Sequence, residues 1–292
     1  MIRFLSFLLV IFVSSPAIAW WDSSHMVVAQ IASNRLTPRA KFHAEELISL
    51  FAHYNPSSAD FVTASCWADD VKNGICDFSS WHKQLIPYDP DDVLEVNEKK
   101  LIESCYKENG LAYGIETCIN VLKNREANYY DKGLALRLLI HLVADAHMPL
   151  HCAALYNKHF PKGDKGGILF TLDSVVEIDS LHGLWDSCIF LDYYEFKRPL
   201  TINGKKYMDE FVQELTLRFP PESLPESGNL DVNHWIQESY HLAINVAYKG
   251  IEPNTPLSKD YLKTSRSAAC QQLAIAGYRL AALLNGIFEN YK

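Results

Sequence analysis

One segment near the middle of the chain, residues 132–146, combines the apolar spacing of an α-helix with two ionisable side chains. Its apolar stripe consists of Leu134, Leu138 and Leu142. His141 and Asp145 stand four residues apart, so in a helix both project from the same face, about one turn apart. A lone histidine on such a helix is more often a satisfied core or surface residue than a metal ligand. The segment therefore predicts a core helix and leaves the role of the pair open.

The same spacing recurs in the sequence LHGLWDS, where His182 and Asp186 stand four residues apart, and His151 follows shortly after Pro149. Imidazole and carboxylate groups one turn apart can bind a single zinc ion, as they do in His-Glu-x-x-His helices. The repeated pairs favour a metal site, with coincidence as the open alternative. The chain has no Cys-x-x-Cys pair, so nitrogen and oxygen atoms would bind the metal.

Two further segments, at about residues 232–248 and 261–291, also repeat apolar residues at helical spacing, and no comparable series of alternating strands appears. Hydrophobic residues make up 48% and charged residues 21% of the 292 positions, which excludes a disordered or fibrous chain. We therefore predict an all-α fold, a mainly helical single domain, in which residues 168–179 form a short β-hairpin. Irregular connectors rich in Pro, Gly, Asp and Ser lie at 54–59, 87–92, 160–167 and 219–228.

The first 19 residues have the features of a secretory signal peptide. Arg3 precedes the apolar run from Phe4 to Val13, and residues 17–19 form an Ala-x-Ala cleavage site. An apolar run of about ten residues is too short to cross a bilayer, which takes roughly 20. We expect a secreted or periplasmic protein that is cleaved after Ala19, with residues 20–292 as its folded domain.

Export would place the cysteines in a compartment where disulfides can form. All of the cysteines follow the proposed cleavage site. They are Cys66, Cys76, Cys105, Cys118, Cys152, Cys188 and Cys270. An oxidising compartment predicts disulfides, and the odd number leaves at least one thiol over. Cys66 with Cys76 and Cys105 with Cys118 are the nearest neighbours in sequence, but spacing alone does not determine the connectivity.

The net charge limits how the protein can bind nucleic acid. There are 27 Lys and Arg residues against 35 Asp and Glu residues, for a net charge of -8. This balance argues against binding of nucleic acid through a broad basic surface. A phosphate ligand would need another source of positive charge.

Three more candidate ligands lie upstream. His25 comes five residues after Trp20, Asp69 lies in CWADD and His82 lies in SSWHKQ. In this order, the whole set is similar to the motifs of the zinc-dependent single-strand nucleases of the S1/P1 type, relatives of mung bean nuclease. The residues that carry the resemblance are Trp20, His25, Asp69, His82, His141, Asp145, His151, His182 and Asp186. The resemblance covers nearly the whole chain after residue 19, including the helical segment from Gln272 to Asn285.

The resemblance implies a cluster of three zinc ions in a mainly helical domain. The buried zinc would be held by Asp69, His82, His141 and Asp145. Its close neighbour would be held by the α-amino and carbonyl groups of Trp20 with His25 and Asp145. The third, more open zinc would be held by His151, His182 and Asp186. Three such ions would also make the site locally cationic inside an acidic protein.

The resemblance also implies roles for two residues in catalysis. Asp145 would bridge the close pair of metals, which activate water for attack on phosphorus. Lys72 stands where relatives carry a basic residue three positions after the Asp ligand, and it would stabilise the phosphate; a solvated surface lysine is its alternative role.

The implied activity is endonucleolytic hydrolysis of single-stranded DNA and RNA to products with 5′-phosphates, together with 3′-nucleotidase activity. Preference for single strands would come from bases stacking on aromatic side chains beside the metals. Candidates for these walls are Tyr88, Tyr156, Phe160 and Tyr193, each of which could equally be an ordinary core residue. We expect a monomer.

Three positions depart from the family's pattern. Leu85 stands where many relatives have an Asp three residues after the second-cluster His, which puts the protein's acid–base group in doubt. Ile168 and Ser180 replace two Asn residues of the family motifs. Two rival functions stay open at this point: a zinc phospholipase C acting on lipid head groups, and a zinc-binding exported protein that has lost catalysis.

Overall fold

The computed structural model describes residues 22–72, 78–175, 178–187, 196–289 and 291. Trp20, Cys76, Cys188 and Tyr193 lie outside the described residues, so their predicted roles are not addressed by the fold.

Eleven α-helices and four short strands make up the described part of the chain. The helices are α1 Asp22–Ser33, α2 Pro38–Ser49, α3 Trp67–Val71, α4 Val96–Cys105, α5 Leu111–Lys123, α6 Tyr129–Asp145, α7 Pro149–Cys152, α8 Leu181–Ser187, α9 Ile202–Arg218, α10 Val232–Leu242 and α11 Lys259–Phe288. The strands are β1 Ile86–Tyr88, β2 Ala153–Leu155, β3 Thr171–Val175 and β4 Ile178–Ser180. The predicted all-α class, with a single mainly helical domain, is confirmed.

Local sequence signals define where several helices begin. Thr37, Asn128 and Ser258 precede α2, α6 and α11, and the side chain of each accepts a hydrogen bond from a backbone N–H of the first turn. These bonds satisfy donors that a helix start leaves without an intrahelical partner.

Helix α6 lies at the centre of the fold and is in contact with α1, α2, α3, α5 and α11. From residue 135 onward every side chain of this helix is buried, including His141 and Asp145. A helix that is buried on all sides belongs to the interior of a domain. These two candidate ligands therefore lie in the core and not on a surface loop.

The first and last helices pack closely against each other. A Cβ atom added at Gly277 of α11 would come within 2.5 Å of the Ile31 side chain of α1. Only a residue without a side chain lets the two helices approach this far. This packing holds α1, and with it His25, against the core.

The predicted helices are present with shifted ends. The segment predicted at 132–146 is α6, and that at 261–291 is α11. The segment predicted at 232–248 ends as an α-helix at Leu242 and continues as a π-helix over Ala243–Ala247.

Two small sheets accompany the helices. Strands β3 and β4 pair antiparallel, with Thr171 opposite Ser180, which confirms the predicted hairpin within a few residues. Strands β1 and β2 pair in parallel, with Ile86 opposite Ala153, a pairing that the sequence pattern did not indicate. This second pair joins the segment after His82 to the segment after His151.

The cysteines in the described part of the chain are free thiols. They are Cys66, Cys105, Cys118, Cys152 and Cys270. The predicted disulfides therefore do not form among these five residues, and burial raises the pKa of the Cys118 thiol to about 12. None of the described helices combines the length and the apolar character that crossing a membrane would require.

Candidate metal centre

Five elements converge on the carboxyl-terminal end of α6. Helix α6 supplies His141 and Asp145, and the other candidate ligands come from α1, α3, the 3-10 turn Ser79–His82, α7 and α8. Eight of the nine sequence-predicted ligands lie in the described residues, and the fold brings all eight into one buried region. The ninth, Trp20, lies outside the described residues.

The first group consists of Asp69, His82 and His141, whose ligand atoms lie within 4.8 Å of one another. The Oδ1 atom of Asp69 is 3.6 Å from His82 Nδ1 and 3.8 Å from His141 Nε2. The two imidazoles approach each other to 3.0 Å between His82 Nδ1 and His141 Nε2. These three side chains face one common point, as the ligands of a metal ion do.

The second group consists of His25, His141 and Asp145. The Oδ1 atom of Asp145 is 3.7 Å from His25 Nε2, and its Oδ2 atom is 3.1 Å from His141 Nε2. The rings of His25 and His141 are stacked, with centroids 3.8 Å apart. His141 therefore takes part in both the first and the second group, and Asp145 lies between them.

The third group consists of His151, His182 and Asp186. His182 Nε2 lies 3.4 Å from Asp186 Oδ2, one helical turn away on α8. His151 connects this group to the second, because its Nδ1 atom is 3.0 Å from Asp145 Oδ1. All three groups thus form one continuous site around Asp145.

Backbone carbonyls orient two of the imidazoles. His141 Nδ1 is 2.6 Å from the carbonyl oxygen of Ser65, and His182 Nδ1 is 2.6 Å from that of Gly166. A carbonyl oxygen only accepts, so each Nδ1 carries the proton and donates it. The Nε2 lone pair of each ring is then directed into the site, which is the usual orientation of a metal-binding histidine.

Burial also sets the protonation of the site. It lowers the pKa of His25, His151 and His182, the first and last of these well below the ordinary value. Burial alone would raise the pKa of Asp145, but His141 and His151 hold it well below its usual range. Neutral imidazoles and ionised carboxylates are the forms that bind metal ions.

Two ligands depart from this protonation state: against the effect of burial, Asp145 and Asp69 raise the pKa of His141 to about 9, and burial raises the pKa of Asp186 well above its usual range. A metal ion would therefore displace a proton from each of these two groups.

Several buried ligand atoms accept or donate no hydrogen bond within the part of the chain that the structure describes. They are both carboxylate oxygens of Asp186, Oδ2 of Asp69, Nε2 of His82 and Nε2 of His151. A buried polar atom without a partner costs roughly 1–3 kcal/mol. Metal ions would satisfy these atoms, and imidazole with carboxylate is a donor set suited to zinc.

Two lysines lie beside the three groups. Lys72 Nζ is 2.9 Å from Asp69 Oδ1, so the lysine predicted to stabilise phosphate lies at the site. Lys83 directly follows His82, and its charge acts on His151 and His182. Lys83 is not among the residues predicted from the sequence, because nothing in its spacing distinguishes it from a surface lysine.

The three positions that depart from the family's pattern all border the site. A Cβ atom added at Gly166 would come within 3.1 Å of the Leu85 side chain, so an apolar group stands beside the loop that orients His182. The Ser180 hydroxyl accepts a hydrogen bond from the N–H of Gly183 over 3.1 Å and so supports the start of α8. Ile168 is half-buried near this loop.

The proposed aromatic walls lie partly within the core. Tyr88, Tyr156 and Phe160 are half-buried. Tyr88 packs near Tyr248 and Phe160 near Phe170, with ring centroids 6.0 and 5.9 Å apart.

A fourth group of possible ligands, Glu226, His234 and Glu238, lies at the surface. His234 Nε2 is 3.1 Å from Glu226 Oε2, and Arg279 pairs with Glu238 over 2.7 Å. The guanidinium neutralises one of the two carboxylates, and His234 lies between both glutamates, so we interpret this group as an ion-pair network.

The comparisons with known proteins agree with this geometry. The S1/P1 Nuclease family model matches residues 20–289. Endonuclease 4 of Arabidopsis thaliana is 27% identical over 290 residues, which cover 94% of this chain and 91% of the relative. Endonuclease 2 of the same plant is 26% identical over 285 residues, covering 92% and 90%, and Endonuclease 5 is 23% identical over 311 residues, covering 94% and 92%. Since the family match spans nearly the whole chain, this protein belongs to the S1/P1 nuclease family and is a nuclease, a phosphodiester hydrolase.

Proposed function

We propose that this nuclease is an exported zinc enzyme that cleaves single-stranded DNA and RNA endonucleolytically, leaves 5′-phosphates and also hydrolyses 3′-nucleotides. The observation that carries the proposal is the convergence of three His and Asp groups around Asp145 inside the core. We assign one zinc ion to each group, with the α-amino and carbonyl groups of Trp20 completing the second. The sequence features of a signal peptide support cleavage after Ala19 and export.

Zinc in these groups would supply a Lewis acid that polarises phosphoryl oxygens and would activate water at neutral pH. The residues of the chain supply the rest. The Oδ2 atom of Asp145 faces His141, and its Oδ1 atom faces His25 and His151. Asp145 therefore links the three groups in one fixed arrangement. Such preorganisation removes the cost of rearranging charges during the reaction.

Lys72 and Lys83 bring positive charge to the same site. Both act on the Asp186 carboxylate through their charge. We assign Lys72 to the substrate phosphate, where an ammonium group stabilises negative charge that develops during cleavage. In this arrangement, an acidic protein attracts a polyanion through its active site and not through its outer surface.

The aromatic residues beside the site support a preference for unpaired bases. Tyr156 packs against Gly163 in the loop between His151 and His182, since a Cβ atom added at Gly163 would be 2.8 Å from Tyr156 Cζ. Bases of a single strand can stack on such rings, whereas bases in a duplex are already stacked.

The proposal is tested with purified protein of measured zinc content, a defined single-stranded oligonucleotide and the matching duplex. We expect faster cleavage of the single strand, product ends that carry 5′-phosphates and loss of activity with EDTA that zinc restores. A zinc-loaded protein that leaves denatured DNA and RNA intact would contradict it.

Two control substrates separate the remaining alternatives. Phosphatidylcholine tests for phospholipase activity, and the endonuclease names of the relatives favour the nuclease over that alternative. Release of inorganic phosphate from 3′-AMP but not from 5′-AMP tests the 3′-nucleotidase activity. Retained zinc with no turnover of any of these substrates would support a protein that has lost catalysis.

A further inference from the structure

A π-helical turn lies close to the third group. The helix α10 continues into Ala243–Ala247, where the N–H of Tyr248 donates to the carbonyl of Ala243, five residues back, over 2.9 Å. The extra residue rotates the side chains that follow relative to an ordinary α-helix, and such turns occur frequently at functional sites. Here the Tyr248 ring is buried, and its hydroxyl donates to Asp164 Oδ2 over 2.9 Å.

The carboxylate of Asp164 is fully buried and accepts four hydrogen bonds. Its Oδ1 atom accepts from the N–H of Leu155 over 2.9 Å and of Gly166 over 3.0 Å. Its Oδ2 atom accepts from the N–H of Gly167 over 2.9 Å and from the Tyr248 hydroxyl. One side chain thus joins strand β2, the loop that follows Asp164 and the π-turn.

The loop that Asp164 holds has an unusual backbone. Lys165, Gly166 and Gly167 have φ angles of 59°, 68° and 81°. Positive φ is uncommon for a residue with a side chain such as Lys165. The hydrogen bonds to Asp164 stabilise this conformation, so the shape of the loop depends on that carboxylate.

The loop in turn fixes His182. The Gly166 carbonyl accepts from His182 Nδ1 over 2.6 Å, and the Gly167 carbonyl accepts from the N–H of His182 over 3.2 Å. Both the ring and the backbone of His182 are therefore held by two successive loop carbonyls. This leaves Nε2 facing Asp186.

A second series of bonds joins the same π-turn to the neighbourhood of Asp186. The carbonyl of Ala247 accepts from the Tyr261 hydroxyl over 2.7 Å, and that hydroxyl accepts from the indole N–H of Trp185 over 3.1 Å. Trp185 directly precedes Asp186 on α8. The π-turn is thus linked to both ends of the His182–Asp186 pair.

We propose that Asp164 and Tyr248 are positioning residues that hold His182 in its metal-binding orientation, and that the π-turn serves to direct Tyr248 to Asp164. The inference rests on the proposed function in one respect, the binding of zinc by His182. Groups that orient a ligand from outside typically contribute 10–100-fold in metal affinity. Tyr248 and Asp164 touch neither substrate nor metal in this scheme and act only through the loop.

The test is Tyr248→Phe, which removes one hydroxyl and keeps the ring, with Tyr278→Phe as the matched control. Tyr278 lies on α11, away from the three groups, and is also buried. Its hydroxyl donates to the carbonyl of Phe219 over 2.8 Å. In a chelator titration of zinc-loaded protein, we expect Tyr248→Phe to release one zinc ion at roughly 10–100-fold lower chelator concentration. Tyr278→Phe should release zinc as the unsubstituted protein does.

A second readout is the visible spectrum of the cobalt-substituted protein, which reports on ligand geometry independently of turnover. Tyr248→Phe should change the part of the spectrum contributed by one ion and leave the rest unchanged. Zinc release and cobalt spectra that match those of Tyr278→Phe would overturn the inference. If Tyr248→Phe fails to fold, Asp164→Asn, of the same volume, is measured in the same way and carries the same expectation.

The two proposals fail in different ways. If the unsubstituted protein binds no zinc or cleaves no single strands, the proposed function is wrong. If it does both and a folded Tyr248→Phe variant does not weaken zinc binding selectively, only the positioning role is wrong. Where Tyr248→Phe does not fold, the same conclusion is drawn from Asp164→Asn.

Discussion

Lys72 Nζ lies 2.9 Å from Asp69 Oδ1, three residues earlier in the chain. Asp69 is a candidate metal ligand and Lys72 the candidate phosphate-binding residue, so one short segment would supply both functions. The Lys72 side chain is 19% exposed, which leaves it accessible from the substrate side. The pair thus connects the metal centre to the surface from which a polynucleotide would enter.

The first prediction concerns this lysine. Lys72→Met should lower kcat/KM for a single-stranded oligonucleotide by roughly 10–100-fold, since a hydrogen bond to a charged group contributes about 1.5–3 kcal/mol. The affinity of the variant for single-stranded DNA should also depend less steeply on salt concentration. The magnitude of the slope of log affinity against log salt concentration should fall by about 0.7, the value for one contact with a phosphate of a single strand. Zinc content should stay unchanged.

The matched control is Lys206→Met, because the Lys206 side chain is 73% exposed and its Nζ atom lies 3.7 Å from Glu210 Oε1, one helical turn away on α9. Equal kinetics and equal salt slopes for the two variants would show that Lys72 is an ordinary surface lysine.

The second prediction compares two carboxylates of the centre. Asp145→Asn should disturb the first two groups and weaken zinc binding at more than one position, because Asp145 faces His141, which belongs to both groups, and His25 of the second. Asp186→Asn should weaken only the third. We expect each of the two substitutions to lower kcat/KM by roughly 100-fold or more. Residues that only orient a metal ligand typically contribute about 10–100-fold.

Zinc per chain, measured by mass spectrometry after gel filtration, checks the comparison. Asp131→Asn is the control, since that residue lies at the exposed start of α6 and bonds to Asn128. Identical zinc content for Asp145→Asn and Asp186→Asn would contradict the central placement of Asp145.

The sequence was sufficient to predict which pairs of candidate ligands share a helix face. His141 and Asp145 on α6, and His182 and Asp186 on α8, follow from the fixed geometry of a helix, in which residues four apart share a face. His25, Asp69 and His82 were predictable only through the order of the family's motifs. Their convergence depends on how separate elements pack, which local spacing does not encode.

The features that the sequence did not indicate depend on tertiary contacts. The parallel pairing of β1 with β2 involves three residues in each strand, too few for an alternating pattern. The π-turn at 243–247 has the composition of an ordinary helix. Asp164 stands in a Gly-rich segment, where aspartate usually indicates a turn, so its four hydrogen bonds became evident only in the fold.

The third prediction concerns the proposed cleavage after Ala19, which would make Trp20 the first residue. An α-amino group has a pKa of about 7.7–8.0 and must lose its proton to bind a metal. A variant that retains one alanine ahead of Trp20 should therefore contain about one zinc ion fewer per chain and lose most of its activity. The control carries the extra alanine after Lys292. Full zinc content and full activity of the amino-terminal variant would exclude Trp20 as a ligand.

The fourth prediction concerns stability at alkaline pH. Burial in α5 raises the pKa of the Cys118 thiol to about 12, above the unfolded value of about 8.5. The unfolded chain then loses this proton at lower pH than the folded chain does. The contribution of Cys118 to stability is therefore complete below the unfolded pKa and declines as pH rises toward 12, by at most about 1.4 kcal/mol per pH unit.

Urea unfolding between pH 8 and pH 10.5 checks this sign. The free energy of unfolding of the Cys118→Ala variant should fall less steeply with pH than that of the unsubstituted protein, because the variant lacks the thiol that ionises on unfolding. The control is Cys105→Ala, since Cys105 is exposed on α4 and its removal should leave the slope unchanged. A Cys118→Ala slope as steep as that of Cys105→Ala would mean that the Cys118 thiol ionises as readily in the folded as in the unfolded chain.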